Sequence, residues 1–436
     1  MAMQAFSFYV CIICYPPRYM HNSEINRQSP APKTDQNSPP EDRTDEFLVR
    51  LMQKYPAYFN HILAFRDQLK VQIIYTQIDR DASNKPHFRD YYFHVNPDRY
   101  FYPASTVKMP VAALALQRLH ELGKPGIGSG STMITGKEFD WQLPVYNDPT
   151  SADGRPSVAQ YVRKIFLVSD NDAFNRLYEF LGPDYINRQL WDRGYTDAQI
   201  RHRLAQTLSA EQNRQTNPVS FLDSSGNLLY LQPGQYSTLG FTPRNDRVGN
   251  GYLDDRGSLV ESPLDFSGKN RISLEDQHHI LRSIMFPQDV PAAQRFKLAS
   301  ADYDLLYRYM SQYPSESAWP YYDSSDFWDA YGKFLFWGSE KGPLPKQIRI
   351  FNKVGDAYGF LTDIMYLADF SRHIEFMLSA TIYCNSDGIL NDDRYDYDSL
   401  GYPFMKNLGR VIYDYEKGRK RKYTPDLSRF RVNYDR

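Results

Sequence analysis

A chain of 436 residues, 42% hydrophobic and 24% charged, is long and apolar enough to bury a large core. Lys and Arg number 51 against 52 Asp and Glu, a formal net charge of -1, so nothing in the balance selects a polyanion and nucleic acid is excluded as the expected partner. The three cysteines, Cys11, Cys14 and Cys384, are too few for a disulfide framework, which leaves stability to packing.

Residues 1–44 differ from the rest. Ala5 to Cys14 (AFSFYVCIIC) is an apolar run of signal-peptide length, too short to span a bilayer and without a preceding Lys or Arg. Ile13 before Cys14 and Val10 before Cys11 give no support to lipidation. His21 to Arg43 is polar and Pro-rich and reads as a flexible tether. Together they predict an exported protein, periplasmic or envelope-associated, with a membrane tether at its N-terminus; a start placed upstream of a simpler signal is the alternative.

The folded region, 45–415, opens with DEFLVRLMQKY, whose Phe47, Leu48, Leu51 and Met52 share one helical face. VQIIYTQID (Val71 to Asp79) and DYYFHVN (Asp90 to Asn96) predict adjacent antiparallel strands. Val107 to Leu122 predicts a helix that is apolar nearly all round and therefore central. GIGSG (Gly126 to Gly130) lacks a preceding strand and a following GK[ST], and is a plain loop. PSVAQYVRKIFLVS, NDAFNRLYEFLG (ended by Gly182 and Pro183) and DYINRQLWDRG read as three successive helices. Residues 217–270 carry turn signals and read as a strand-poor insertion. Helices are expected at Ser273 to Phe286 and Ser300 to Tyr313, then a closing β-meander from Ile348, then a helix over Tyr402 to Tyr415. Residues 416–436 contain the basic EKGRKRKY and read as a solvated tail.

Three short motifs follow one another along this framework. Ser105-Thr106-Val107-Lys108 at a helix start puts hydroxyl and amine one turn apart, so the amine can take the hydroxyl proton. The same helix terminus offers N–H groups to a developing oxyanion. Lys108 sits in an otherwise apolar helix, where a lysine is costly unless paired or functional. Ser169-Asp170-Asn171 lies where two helical patterns meet; by itself it is an N-cap. Lys353-Val354-Gly355 ends a strand-like run. The pair His278 and His279 lacks the spacing of a helical zinc site, so no metal is expected, and Ser-Lys acyl transfer needs no cofactor.

The segments YPASTVKMPVAALAL, SVAQYVRKIFLVSDNDAFNRLYEFLG and NKVGDAYGFLTDIMYL resemble the active-site, SDN and KTG segments of class A β-lactamases. The resemblance implies an α/β (α+β) fold of three layers, an antiparallel sheet flanked by helices plus an all-helical subdomain. It implies Ser105 as the acylated nucleophile, Lys108 as proton acceptor, and Ser169 as proton relay to the leaving nitrogen. Asn171 and Lys353 would hold substrate beside Gly355, with the backbone N–H groups of Ser105 and Asp356 as the oxyanion hole. Val354 stands where the family has Thr or Ser, so the hydroxyl that helps bind the β-lactam carboxylate is missing. The nearest deacylation base is Glu211, with Asn217 downstream, at a spacing that is not the family's; otherwise it is a surface or capping glutamate. The expected substrate is a small-molecule or peptidoglycan-derived amide, and the expected state a monomer. A peptidoglycan transpeptidase or carboxypeptidase of the same fold, and a non-catalytic binding module, are the alternatives.

Overall fold

The computed structural model describes residues 42–435. The apolar run Ala5–Cys14, both of its cysteines and the tether up to residue 41 lie outside the described residues. Helix α1 (Glu46–Gln53) buries Leu48, Leu51 and Met52, and α2 (Pro56–Ala64), unforeseen from periodicity, starts on Pro56 in its first turn. Strands β1 (Gln72–Arg80) and β2 (Pro86–Phe93) pair antiparallel from Ile73↔Phe93 to Arg80↔Pro86. β2 therefore begins before the expected Asp90, since proline is tolerated at the first residue of a strand.

A 3₁₀ turn over Ala104–Val107 leads into α3 (Lys108–Leu122), which is buried nearly all round and stops at Gly123 in the left-handed region, φ 57°. Strand β3 (Thr132–Thr135) precedes α4 (Val158–Val168), capped by the Ser157 hydroxyl, which accepts from the Gln160 N–H. The next two expected helices are both present along α5 (Asn171–Trp191), separated where Gly182 leaves helical geometry (φ 73°, ψ 150°) ahead of Pro183. A short α6 (Ala210–Arg214) follows.

Residues 217–270 are not the strand-poor insertion that their turn signals suggest. Strands β4 (Val219–Leu222) and β5 (Leu228–Gln232) form a hairpin that extends β3 into a three-stranded sheet, with Val219 and Phe221 fully buried. These strands are too short to show a clear alternation, and the pairing with distant β3 completes them. Only from 247 onward does the segment reduce to two- and three-residue strands.

Helices α7 (Leu274–Met285) and α8 (Ser300–Ser311) precede the meander β6 (Ile348–Ala357), β7 (Phe360–Asp369) and β8 (Ile374–Tyr383), and α9 (Tyr402–Gly418) follows. The main sheet has the order β6-β7-β8-β1-β2 and is antiparallel throughout. Its strands are apolar on both faces because both faces are covered. Ile73, Tyr75, Phe376 and Leu378 join one core with α1, α2 and α9; Ile74, Ile78 and Met377 join the other with α3, α5 and α7. That period-two split makes the three layers, an α+β architecture with a helical subdomain.

Residues 416–435 are not a solvated tail. Glu416, fully buried, accepts from the Tyr75 hydroxyl and pairs with Arg419 and Arg421, while Leu427 and Phe430 enter the core. The basic residues are consumed by a buried carboxylate, which a charge run alone does not reveal. No helix among the described residues is long and apolar enough to cross a membrane.

Candidate active site

Ser105 lies in the 3₁₀ turn ahead of α3, where the first N–H groups have no partners within the helix. Ala104, just before it, is held at φ 46°, a left-handed conformation that costs an alanine roughly 1–3 kcal/mol and persists only under surrounding constraint. The constraint is β6. A Cβ added at Gly355 would lie 2.5 Å from the Pro103 carbonyl oxygen and 3.0 Å from the Ser105 nitrogen, so only glycine lets this edge strand close on the turn. Because β6 is an edge strand, backbone groups on its free side face the cleft.

Lys108 is fully buried. Its Nζ donates to Asn171 Oδ1 at 2.7 Å, to Ser169 Oγ at 3.3 Å and to the Ser169 carbonyl. Ser169 can serve both contacts because it caps α4 in the left-handed region, φ 57°. The N-cap reading of the motif is realised one residue later, where the Asp170 carboxylate accepts from the Ala173 N–H at 2.7 Å. From β6, Lys353 Nζ donates to Ser169 Oγ at 2.9 Å and to the Val354 carbonyl at 2.9 Å. One hydroxyl thus sits between two lysine nitrogens. Desolvation, reinforced by the Lys353 charge, holds Lys108 well below the usual lysine range, and burial brings Lys353 down to about 7 against the opposing pull of Asp356 and Asp363.

Ser105, Asn171 and Asp356 line one cavity of about 440 Å³, together with Leu204, Ala205 and Tyr358. Val354 points away, into the core beneath α9, so a residue at this position contributes its side chain to packing and not to the cleft. Behind β6, Asn352 donates to Asp363 at 2.8 Å and accepts from Lys333 at 2.6 Å, a buried network that steadies the strand bearing Lys353.

Glu211 is not brought to the nucleophile. It is exposed on α6, where its carboxylate accepts from the Tyr236 hydroxyl at 2.7 Å, the surface role that the sequence left open for it. Asn217 is buried and donates to the Gly136 carbonyl at 2.7 Å. The segment that carries Glu211 gives Leu204 and Ala205 to the cavity that Ser105 lines, whose carboxylates are those of Asp356 and Asp393.

Sequence reading missed the pair that holds this segment. Glu179, in the middle of α5, makes a buried two-pronged ion pair with Arg203, one arm at 2.9 Å, and also accepts from the Asn217 N–H at 2.7 Å. A glutamate inside the apolar stretch FNRLYEFLG was the available signal. His278 is a core residue, its ring nitrogens 2.7 Å from Thr76 Oγ1 and 2.7 Å from Ser379 Oγ. The acid–base group Asp42, Asp67 and His94 already holds the Arg99 guanidinium, 2.6 Å from Asp42.

Residues 59–229 match the Beta-lactamase enzyme family. No protein of curated function matches the chain. Similar solved structures include a β-lactamase from Xanthomonas campestris pv. campestris, 15% identical, covering 83% of this chain and 98% of that one at a TM-score of 0.45. A β-lactamase from Chitinophaga pinensis is 12% identical, covering 84% of this chain and 99% of that one at a TM-score of 0.47. An ancestral class A β-lactamase is 14% identical, covering 85% and 98% at a TM-score of 0.43. The matched stretch contains Ser105, Lys108 and the Ser169-Asp170-Asn171 turn but ends before Lys353, and over it the chain is similar to that family.

Proposed function

We propose that the protein is a serine hydrolase that forms an acyl-enzyme on Ser105 with a cyclic or peptidic amide. The observation carrying this reading is the convergence of Lys108 and Lys353 on the single hydroxyl of Ser169, beside the cavity that Ser105 lines. A lysine held well below its ordinary range by burial and by the Lys353 charge loses its proton more readily than a free one, as a base requires. Ser105 Oγ attacks the carbonyl carbon and its proton passes to Lys108. The oxyanion is received by the N–H groups of Ser105 and Asp356. Ser169 then passes a proton to the leaving nitrogen as the carbon–nitrogen bond breaks, Lys353 holding the hydroxyl in place. Water completes the cycle by cleaving the ester.

The position of Glu211 favours a second reading of the last step. With the Glu211 carboxylate on the surface beside Tyr236 and not in the cavity that Ser105 lines, hydrolysis of the ester is slow, as in an enzyme that passes its acyl group to an amine. Intact-protein mass spectrometry after brief exposure to penicillins and cephalosporins tests both parts. An adduct on the wild type and none on Ser105→Ala is expected, persisting for many minutes. No adduct on either protein removes β-lactam chemistry, and rapid decay removes the slow last step.

A further inference from the structure

Next to the cleft lies a second cavity of about 530 Å³, whose wall includes Arg201, Arg203, Arg214, Phe241, Lys269 and Tyr358. The two cavities share Tyr102, Ala205, Tyr358 and Asn391, so they adjoin. Its wall carries an unusual excess of one charge. Arg201 spends Nη1 on the Ser267 carbonyl at 3.0 Å and stacks on Phe241, 4.6 Å from the ring centroid. Arg214 spends Nη1 on the carbonyls of Ser237 and Leu239, at 2.9 and 3.0 Å. Lys269 Nζ stands 5.3 Å from the Tyr358 ring centroid.

Among the described residues, none of these three cations has a carboxylate within ion-pairing distance; Arg203, also in the wall, is already taken by Glu179. The acidic residue lining the cavity is the exposed Asp255. The repulsion is felt: desolvation first and Arg214 second lower Arg201 from its ordinary value. Half-buried cations held together without counter-charges cost stability unless a ligand supplies them, and a wall carrying two guanidinium groups and an ammonium suits a two-oxygen anion.

We propose that this pocket binds an oxyanionic group, carboxylate or phosphate, carried by the molecule whose carbonyl acylates Ser105. The link to acylation rests on the reading of Ser105 as nucleophile; the anion site itself does not. It also gives the enzyme a carboxylate or phosphate anchor in a place other than position 354, whose side chain is turned into the core.

Isothermal titration calorimetry with inorganic phosphate and with succinate separates the two anion sources. One or both is expected to bind wild type and Ser105→Ala alike, and to bind Lys269→Gln and Arg214→Gln at least tenfold more weakly, with near-ultraviolet circular dichroism unchanged. Absence of saturable binding by either anion, or equal affinity in both variants, overturns the pocket. A fluorescent penicillin supplies the second readout, since the bound anion should slow labelling of Ser105. Labelling that proceeds at the same rate with the pocket filled overturns the link to substrate. A wild type that never labels is a failure of the Ser105 reading, and calorimetry still decides the pocket.

Discussion

Ser169 is where the chemistry is most exposed to pH. Lys353 at about 7 is charged below neutrality and loses its charge above, so acylation by substrates bearing a carboxylate should decline as pH rises past 7. Labelling rates from pH 5.5 to 9 check this, and a flat profile would contradict it. The same residue makes a stability prediction with its own sign. Between the folded value near 7 and the ordinary 10.5, the unfolded chain holds a proton that the folded chain lacks, so stability rises with pH across that window. Urea midpoints should increase from pH 7 to 9, and the increase should shrink in Lys353→Met. Replacing Lys108 with Met removes the base and should slow acylation by roughly 10²–10⁴-fold. Gly355→Ala should abolish labelling, because its new methyl collides with the backbone on which Ser105 sits. At this scale the three motifs were legible, because residue type and spacing carry their chemistry. The contacts that join them across the chain, from Lys108 and Lys353 to Ser169, needed the fold.

Among the elements, the segment from 201 to 217 shows what a sequence read locally leaves out. Its glutamate, Glu211, looks like a candidate base because it stands at roughly the right place in the order of motifs, yet it faces solvent. What fixes the segment is a glutamate on another element, Glu179, whose partner Arg203 is 24 residues away. Removing one member strands a buried charge, so Glu179→Ala should cost about 3–5 kcal/mol, measured by chemical denaturation, and should loosen the cover over Ser105. The long helices were readable from periodicity and from stop signals such as Gly182 and Pro183. The β4–β5 hairpin was not, since its strands are short and its partner β3 lies far away in sequence.

For the whole molecule, the order of helices, meander and closing helix was legible, and the end of the chain was not. Phe430 sits among Phe286, Tyr307, Phe351 and Tyr366, which come from the C-cap of α7, from α8 and from two strands. Phe430→Ala should therefore lose about 3–5 kcal/mol, read as a lowered denaturation midpoint, whereas a free tail would show no change. The cover formed by Leu204 and Ala205 has a further consequence, in numbers of molecules. If nothing beside the ester activates water, each copy of the protein reacts once and then waits, and the substrate consumed in the first seconds equals the protein present. Such a molecule protects or signals by stoichiometry: its effect grows with how much of it is made, and it records in its own acylated fraction how much substrate it has met.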